Sequence, residues 1–209
     1  VHNGVAEPEV PPTPEAALRS RFSLGDRPIV LSPSARQPHK NLPTLLEAFA
    51  WLPAPRPLLV LPGYSTDFDD ELQLHARQLG IADDVRWLGW VDQADLEGLY
   101  AASELLVFPS RYEGFGLPVA EAMLRGLPVA CSDRGSLAEV AGDAAVGFDP
   151  DDATTIAAAI RRLLADDALR AEVISKGRAQ ASRFTWPAAA AGYIASYDRT
   201  LAGAGKRQA

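Results

Sequence analysis

The chain has 209 residues, of which 47% are hydrophobic and 22% are charged, a composition that excludes a largely disordered segment and allows a globular core. Its net charge of -7 argues against the basic face of a nucleic-acid-binding protein, although a local basic pocket for a small phosphate ligand stays compatible with it. The single cysteine, Cys131, excludes an intrachain disulfide, and its apolar surroundings over 127–131 indicate a buried thiol rather than a nucleophile.

The sequence contains no run of about 18 apolar residues that could cross a bilayer, and no segment with the features of a signal peptide. Together with the lone cysteine, this predicts a protein of the reducing cytoplasm. Peripheral contact with the inner surface of the membrane is left open by the sequence.

Residues 1–27 are predicted to be a connector between domains. Proline stands at positions 8, 11, 12 and 14, and proline is unfavourable inside helices and strands. The dipeptide Asn3-Gly4 is a turn signal, as though a strand had ended just before it. We therefore expect these residues to lead into the domain from a preceding one.

Short apolar segments alternate with segments of helical periodicity from residue 28 onwards. Strands are predicted over 28–32, 58–61, 85–88, 105–108, 129–132 and 145–148. Helices are predicted over 42–52, 67–79, 93–102, 118–125, 153–164, 169–183 and 187–201, with a helical turn over 136–140. Gly80 and Gly126 are typical of helix ends, and the tail over 203–209 is expected to fray.

Six short strands separated by helices indicate a parallel sheet that is covered on both faces. Because crossovers between parallel strands are right-handed, the pattern predicts an α/β fold with a Rossmann-like, doubly wound, six-stranded parallel sheet. This domain is expected to span residues 28–202, including the helix over 187–201. Such sheets bind ligands at the carboxyl ends of their strands, so a site is expected in the loops that follow the strands.

The loop after the fourth strand enters a helix through the sequence Glu-Gly-Phe-Gly-Leu-Pro-Val-Ala-Glu over residues 113–121. Pro118 is favourable at the first position of a helix, so the free N–H groups of the helix lie near Gly116 and Leu117. These groups and the helix dipole favour a negatively charged ligand such as a phosphate. Gly114 and Gly116 have no side chains, which lets the backbone approach that ligand closely.

Two acids, Glu113 and Glu121, stand at either end of this turn and can face one cleft. Carboxylates repel a phosphate, but they are suitable acceptors for sugar hydroxyls on either side of one. The alternative is a glycine turn before an ordinary amphipathic helix, with both acids in solvent.

Glu113 and Glu121 match the Glu-x7-Glu motif of retaining glycosyltransferases with the GT-B fold. The segment over 108–123 resembles glycosyltransferase family 4, and the resemblance continues from Val1 to the Phe-Thr-Trp over 184–186. It implies the C-terminal, donor-binding half of a GT-B fold, in which Glu113 binds hydroxyls of the donor sugar and Glu121 those of the ribose. The backbone amides that it implies for the sugar and diphosphate are those of Gly114, Phe115, Gly116 and Leu117.

The loop after the first strand, residues 32–41, carries the cations Arg36 and Lys40. A departing diphosphate needs cations nearby, because negative charge grows on it as the sugar leaves. A solvent-exposed basic loop is the plain alternative, but the Lys-Asn-Leu context of Lys40 resembles that of the diphosphate-binding lysine of the family. The family has a Gly-Arg pair where this chain has Ser-Ala at 34–35, so Arg36, a candidate donor-binding residue, is displaced by one position.

The same resemblance implies that the segment after the third strand, Gly89, Trp90 and Val91, holds the nucleotide base, mostly through its backbone. Trp90 is either a stacking platform for the base or a packed aromatic. Gly63 ends the second strand and is expected to line the same cleft, while residues 133–136 are expected on the sugar side. No His, Cys or Asp cluster has metal-ligand spacing, and no metal cofactor is expected.

These features predict the donor-binding domain of a retaining hexosyltransferase, with Lys40 and Glu113 as the catalytic pair. The expected donor is a nucleotide-diphosphate sugar of the GDP-mannose or UDP-glucose type, and the acceptor is a sugar or a lipid-linked glycan. The family binds the acceptor in an N-terminal domain, which is absent from this chain. We therefore expect the chain by itself to bind a nucleotide sugar weakly and to transfer little or nothing.

Two other functions are compatible with the same fold. A non-catalytic module that binds a nucleotide sugar would use the same turn without turnover. A sugar-nucleotide epimerase is less favoured, because no acid/base set for it is evident in the chain.

Overall fold

The computed structural model describes the backbone of residues 1–205 and the side chains of residues 1–202. Its centre is one parallel sheet of six strands in the order β3-β2-β1-β4-β5-β6. The strands are β1 (Ile29–Leu31), β2 (Leu58–Leu61), β3 (Val85–Trp87), β4 (Leu105–Phe108), β5 (Val129–Ser132) and β6 (Val146–Phe148). This arrangement confirms the predicted doubly wound, Rossmann-like fold.

Helices cover both faces of the sheet. They are α1 (Glu15–Arg21), α2 (Leu42–Ala50), α3 (Asp69–Gln78), α4 (Gln93–Ala102), α5 (Leu117–Leu124), α6 (Gly135–Ala141), α7 (Ala153–Ala165), α8 (Asp167–Ala181) and α9 (Trp186–Gly205), with 3-10 turns over Pro38–Lys40 and Ala82–Asp84. Apart from the end of α9, the predicted helix boundaries lie within one turn of these. Of the tail predicted to fray, residues 203–205 continue α9, and 206–209 lie outside the described residues.

The central strands are buried at every position and apolar at all but the last residue of β5, Ser132, because both of their faces are covered. In β4, Leu106 and Phe108 pack under the helices on the side of α4 and α5, while Leu105 and Val107 pack under those on the side of α2 and α7. The continuous apolar runs that predicted these strands are therefore a consequence of the two-sided core.

The expected connector over 1–27 contains a helix that sequence periodicity did not reveal. Helix α1 packs against α4, where a Cβ on Gly98 would lie 2.6 Å from Cδ1 of Leu18 and 2.4 Å from the carbonyl oxygen of Thr13. Leu18 and Leu24 are buried in the main core. Residues 1–14 and 22–27 are in neither helix nor strand, and in the first of these segments the amide of Val5 donates to the carbonyl of Phe184 at 2.8 Å.

The strand order reverses between β1 and β4, which pair in parallel at the centre of the sheet. The chain leaves β1 towards β2 and leaves β4 towards β5, so a crevice opens between the loops that follow β1 and β4. The loop over 32–41 and the turn over 109–116 lie on the two sides of this crevice, where a ligand site was expected.

Candidate functional site

The turn after β4 has the conformation that its glycines permit. Gly116 caps α5 with φ of 107°, and a Cβ at this position would lie 2.5 Å from Cδ2 of Leu137. Leu117 and Pro118 then form the first turn of the helix. Both the left-handed conformation and the close approach of Leu137 favour glycine at 116, and Leu117, the first residue of α5, is exposed.

Phe115 and Gly114 have different tasks in the same turn. The ring of Phe115 is buried and packs edge-on against Phe184, with ring centroids 5.3 Å apart. Gly114 is exposed, and a Cβ on it would meet no atom within 4 Å. Phe115 thus anchors the turn through its side chain, while the open surface above Gly114 is available to a ligand.

Lys40 and Glu113 come from the two loops that separate at the centre of the sheet, and the structure brings them together. The Nζ atom of Lys40 donates to Oε1 of Glu113 at 2.6 Å. Their side chains are only 17% and 14% exposed, and the ammonium lies 5.5 Å from the centre of the Phe108 ring. A partly buried cation and a carboxylate are therefore held between these two loops. A phosphate could replace Glu113 as the partner of Lys40, and sugar hydroxyls could replace Lys40 as the partner of Glu113.

Asn41 ties these two loops together, a role that sequence reasoning missed. It has a left-handed φ of 58° and is fully buried, and its amide nitrogen donates to the carbonyls of Pro109 at 3.2 Å and Pro150 at 2.6 Å. Its side-chain oxygen accepts from Thr44 at 2.8 Å. The sequence signal that could have predicted this role is the asparagine directly after Lys40, because asparagine tolerates the left-handed conformation better than most residues.

Glu121 lies on α5, away from the Lys40–Glu113 pair. Its Oε2 accepts a hydrogen bond from the hydroxyl of Tyr100 at 2.9 Å. The residue lines a cavity of about 360 Å3, whose other walls include Gln93 and Trp186. The N-terminal segment over 4–10 closes this cavity on one side. The two acids of the motif therefore have different surroundings: Glu113 pairs with Lys40, and Glu121 borders this cavity.

A buried polar network supports Glu121 from behind. Arg125 donates to both oxygens of Glu97 at 2.5 Å, and its guanidinium lies 4.9 Å from the centre of the Tyr100 ring. Gln93 donates to Glu97 at 2.7 Å. Burial opposes the charge on Arg125, but its hydrogen bonds to Glu97, together with the nearby charges of Glu97, Tyr100 and Glu121, outweigh this and raise its pKa. The sequence did not predict this network, because its residues belong to no recognisable motif.

Arg36 does not take the place expected for a diphosphate-binding arginine. Its side chain is 2% exposed and donates to Oδ2 of Asp69 at 2.8 Å and to the carbonyls of Leu61 and Leu88. The guanidinium also lies 5.5 Å from the centre of the Trp87 ring, and burial lowers its pKa. Arg36 thus joins the carboxyl ends of β2 and β3 to α3, and neither Lys40 nor Glu113 is among its hydrogen-bond partners.

The residues expected to hold the base lie close together at the ends of β2 and β3. Gly63 has φ of 154°, a Cβ on it would lie 1.9 Å from the carbonyl oxygen of Ser34, and its amide donates to Gly89 at 3.1 Å. Trp90 is 64% exposed, which contradicts the packed alternative for this side chain. Val91 is half-buried. The segment presents backbone and one open aromatic face to solvent.

Residues 133–136 adjoin the turn as expected, because Oγ of Ser136 donates to the carbonyl of Glu113 at 2.7 Å. The Arg134 side chain is exposed and bonds to Asp149 and Asp151, and the second of these also accepts from Arg111. These ion pairs fasten the loops after β4, β5 and β6 to one another around the rim.

Two hydroxyls at the ends of the central strands were not anticipated. Ser32 follows β1 and Ser110 stands two residues after β4; both are buried, and neither Oγ has a hydrogen-bond partner within residues 1–205. A buried hydroxyl without a partner is unusual, and these two atoms place unpaired polar groups beneath the loops that follow β1 and β4.

Cavity size by itself does not locate the site. An open cleft of about 670 Å3 is lined by residues that include Arg36, His39 and Tyr112, but by neither acid of the motif. In the part of the chain that the structure describes, no three His, Cys, Asp or Glu side chains are grouped to hold a metal. Over the same residues, no helix is both long and apolar enough to cross a membrane.

The model of the family described as "Glycosyl transferases group 1" matches residues 15–180. The chain is 38% identical over 183 residues to O-antigen chain mannosyltransferase B of Escherichia coli, covering 85% of this chain and 48% of that protein. The chain therefore spans about half the length of this curated relative.

Solved structures show the same fold. Sucrose-phosphate synthase from Thermosynechococcus elongatus superposes with a TM-score of 0.80 at 30% identity, covering 96% of this chain and 52% of the other. HepE of Anabaena, solved in complex with UDP-glucose, has a TM-score of 0.78 at 25% identity, covering 89% and 52%.

Proposed function

The chain belongs to the glycosyl transferases group 1, with the fold of a GT-B C-terminal domain, and on that premise we propose that it is the donor-binding half of a retaining hexosyltransferase of family 4. The observation that carries the proposal is the meeting of Lys40 and Glu113 beside the start of α5. A cation, a carboxylate and free amides at one sheet edge suit a ligand that is part phosphate and part sugar.

Lys40 and the amides at the start of α5 neutralise the diphosphate. As the bond between the sugar and the diphosphate breaks, negative charge grows on the departing oxygen, and fixed positive groups stabilise it. The ammonium of Lys40 is already held in place by its hydrogen bond to Glu113 and by its position over the Phe108 ring. This arrangement supplies positive charge without a metal, so the proposal requires none.

Glu113 binds hydroxyls of the donor sugar, and the backbone of Gly114 to Leu117 lines the sugar and the diphosphate. Glu121 binds the ribose within the cavity that it faces. Gly63, Gly89, Trp90 and Val91 surround the base. Arg36 supports this last group through the carbonyl of Leu88 rather than touching the phosphates.

The donor is of the GDP-mannose or UDP-glucose type. The name of the E. coli relative supports a mannosyl donor, and the UDP-glucose complex of Anabaena HepE supports a uridine one. The acceptor, a sugar or a lipid-linked glycan, is bound by a second half that faces the loops. The apolar surface of α9, with Tyr193, Ile194 and Tyr197 exposed, suits contact with such a half.

Titration calorimetry with UDP, GDP and ADP, and with UDP-glucose and GDP-mannose, tests the proposal. We expect one nucleotide to bind at millimolar concentration or below, and Lys40→Ala to weaken it by about tenfold, the effect of one charge-assisted hydrogen bond. Lys176→Ala, which removes an exposed lysine on α8, serves as the control and should leave binding unchanged. Absence of binding by all five ligands would refute the proposal, as would equal affinities in Lys40→Ala and the parent chain.

Turnover separates transfer from mere binding. A protein with both halves should release the nucleoside diphosphate from the donor in the presence of EDTA. Binding without turnover in that protein would instead favour a non-catalytic module.

A further inference from the structure

Tyr100 and Glu121 form a pair across two helices on the same face of the sheet. Tyr100 lies on α4 with 2% of its surface exposed, and Glu121 lies on α5. The phenol donates to Oε2 of Glu121 at 2.9 Å. No hydrogen bond to Oε1 of Glu121 is made by any side chain of residues 1–202, and the residue borders the cavity of about 360 Å3.

The phenol is held as a hydrogen-bond donor. Burial, followed by the nearby charge of Glu121, raises the pKa of Tyr100 well above its usual range, so the proton stays on the phenol at neutral pH. The guanidinium of Arg125 lies over the ring, and Arg125 is itself held by Glu97. The ring is buried, so its hydroxyl gives the carboxylate of Glu121 a hydrogen-bond partner at a fixed position.

We propose that Tyr100 is a positioning residue, which fixes the Glu121 carboxylate so that its remaining lone pairs point at the ribose hydroxyls of a nucleoside diphosphate. The inference rests on the proposed function, since it concerns the ribose part of the same site. A carboxylate offers about four acceptor positions, and the phenol occupies one of them. Selection of ribose over 2′-deoxyribose then depends on Tyr100 as well as on Glu121.

The test compares ribose preference among variants. Calorimetry measures the affinity of the chain for whichever of UDP, GDP and ADP binds and for its 2′-deoxy counterpart. We expect the parent chain to prefer the ribonucleotide by about tenfold, as for one hydrogen bond to a charged group. Tyr100→Phe keeps the ring and its contact with Arg125 but removes the hydroxyl, and should reduce the preference to about threefold or less.

Three controls separate positioning from packing. Glu121→Gln should lose the preference as Tyr100→Phe does, and the double variant should lose no more than either single one, because both act on the same contact. Tyr193→Phe, at a half-exposed position on α9, should keep the preference of the parent chain. Thermal unfolding of each variant reports any loss of packing, which by itself would weaken both nucleotides equally.

The outcomes are distinct. A Tyr100→Phe chain that binds with its ribose preference intact overturns the positioning role, whatever its unfolding temperature, and leaves the proposed function standing. A parent chain that binds none of the three nucleotides overturns both. Loss of the preference in Tyr100→Phe and in Glu121→Gln, but not in Tyr193→Phe, supports the inference.

Discussion

The ammonium of Lys40 and the carboxylate of Glu113 neutralise each other across the point where the sheet reverses its strand order, 2.6 Å apart. The same two groups are proposed to hold different parts of one ligand, Lys40 the diphosphate and Glu113 the sugar. A phosphate must therefore compete with Glu113 for Lys40. Only a ligand that also carries the sugar offers Glu113 new partners in return.

Removal of Glu113 is therefore expected to act in opposite directions on two ligands. Glu113→Ala should bind the nucleoside diphosphate about fivefold more tightly, since loss of a partly buried ion pair worth about 1 kcal/mol frees Lys40. It should bind the nucleotide sugar about tenfold more weakly, because charged hydrogen bonds to the sugar are lost. Calorimetry with both ligands measures the two effects.

Glu172→Ala is the matched control, because it removes an exposed acid that pairs with Lys176. It should change neither affinity. An equal change of both affinities in Glu113→Ala, in either direction, would contradict competition between phosphate and Glu113.

Asn41 should contribute to stability through both its backbone and its side chain. Asn41→Ala loses the bonds to Pro109 and Pro150, and alanine lacks the polar side chain that lets asparagine tolerate φ of 58°, so we expect about 3 kcal/mol of destabilisation in urea denaturation. Asn41→Gly loses the same bonds without the backbone penalty and should be about 1 kcal/mol more stable than Asn41→Ala. Equal stability of the two variants would show that the left-handed conformation costs nothing here.

Arg36 should act on stability rather than on phosphate binding. Arg36→Met removes the guanidinium that donates to the carbonyl of Leu88 and to the partly buried carboxylate of Asp69, and should destabilise the chain by about 3 kcal/mol. Inorganic pyrophosphate should still compete with the bound nucleotide with unchanged affinity.

Arg134→Met is the control, since its ion pairs with Asp149 and Asp151 are exposed, and it should unfold at nearly the same urea concentration as the parent chain. A stable Arg36→Met chain that no longer binds pyrophosphate would restore the family role to Arg36.

Cys131 should be unreactive while the chain is folded. Burial, with a smaller effect of Asp133, raises the pKa of its thiol to about 12, so almost no thiolate forms at pH 8. The reaction with a thiol-specific disulfide reagent should be at least about 100-fold slower in buffer than in urea. Fast reaction in buffer would mean that β5 opens readily.

The raised pKa of the same thiol makes the free energy of unfolding depend on pH in a definite direction. The unfolded thiol ionises above about pH 8.5, whereas the folded one does not until about 12. Between these values the unfolded state releases the proton first, so this contribution to stability is complete below about pH 8.5 and is lost as the pH rises towards 12. Urea denaturation at pH 8 and pH 10 measures the loss, with Cys131→Ala as the variant in which this contribution is absent.

The sheet was predictable because its strands are apolar on both faces. The strands over 58–61, 105–108 and 129–132 have the predicted bounds, since each contains at least three consecutive apolar residues and is flanked by proline or charged residues. Helix α1 was not predicted, because Leu18 is its one buried residue and its stability comes from contact with Gly98 on α4. Contacts of this kind leave no periodic signal in a short helix.

Only the site residues that belong to a local sequence motif could be predicted. Lys40 and Glu113 were identified from local strings, and the structure places them together. Tyr100 and Asn41 were not, because their partners lie in other elements of the chain. The direction of Arg36 depends on the path of its loop, which the missing glycine at position 34 left undetermined.

Two glycines of the site allow a test of whether the backbone itself meets the ligand. A Cβ on Gly114 would stand in open space, whereas one on Gly63 would lie 1.9 Å from the carbonyl oxygen of Ser34. Gly114→Ala should therefore keep its stability within about 1 kcal/mol of the parent chain, and Gly63→Ala should lose about 3 kcal/mol or more. Thermal or urea unfolding measures both.

Although Gly114→Ala should have little effect on stability, it should have a large effect on ligand affinity. The methyl group of Gly114→Ala would occupy the surface proposed for the donor sugar, so the affinity for the nucleotide sugar should fall by about tenfold in a fully stable chain. The affinity for the nucleoside diphosphate, which lacks the sugar, should change much less. A Gly114→Ala chain that binds both ligands as the parent does would place the sugar away from this turn, and the proposed role of Glu113 would then have to be abandoned with it.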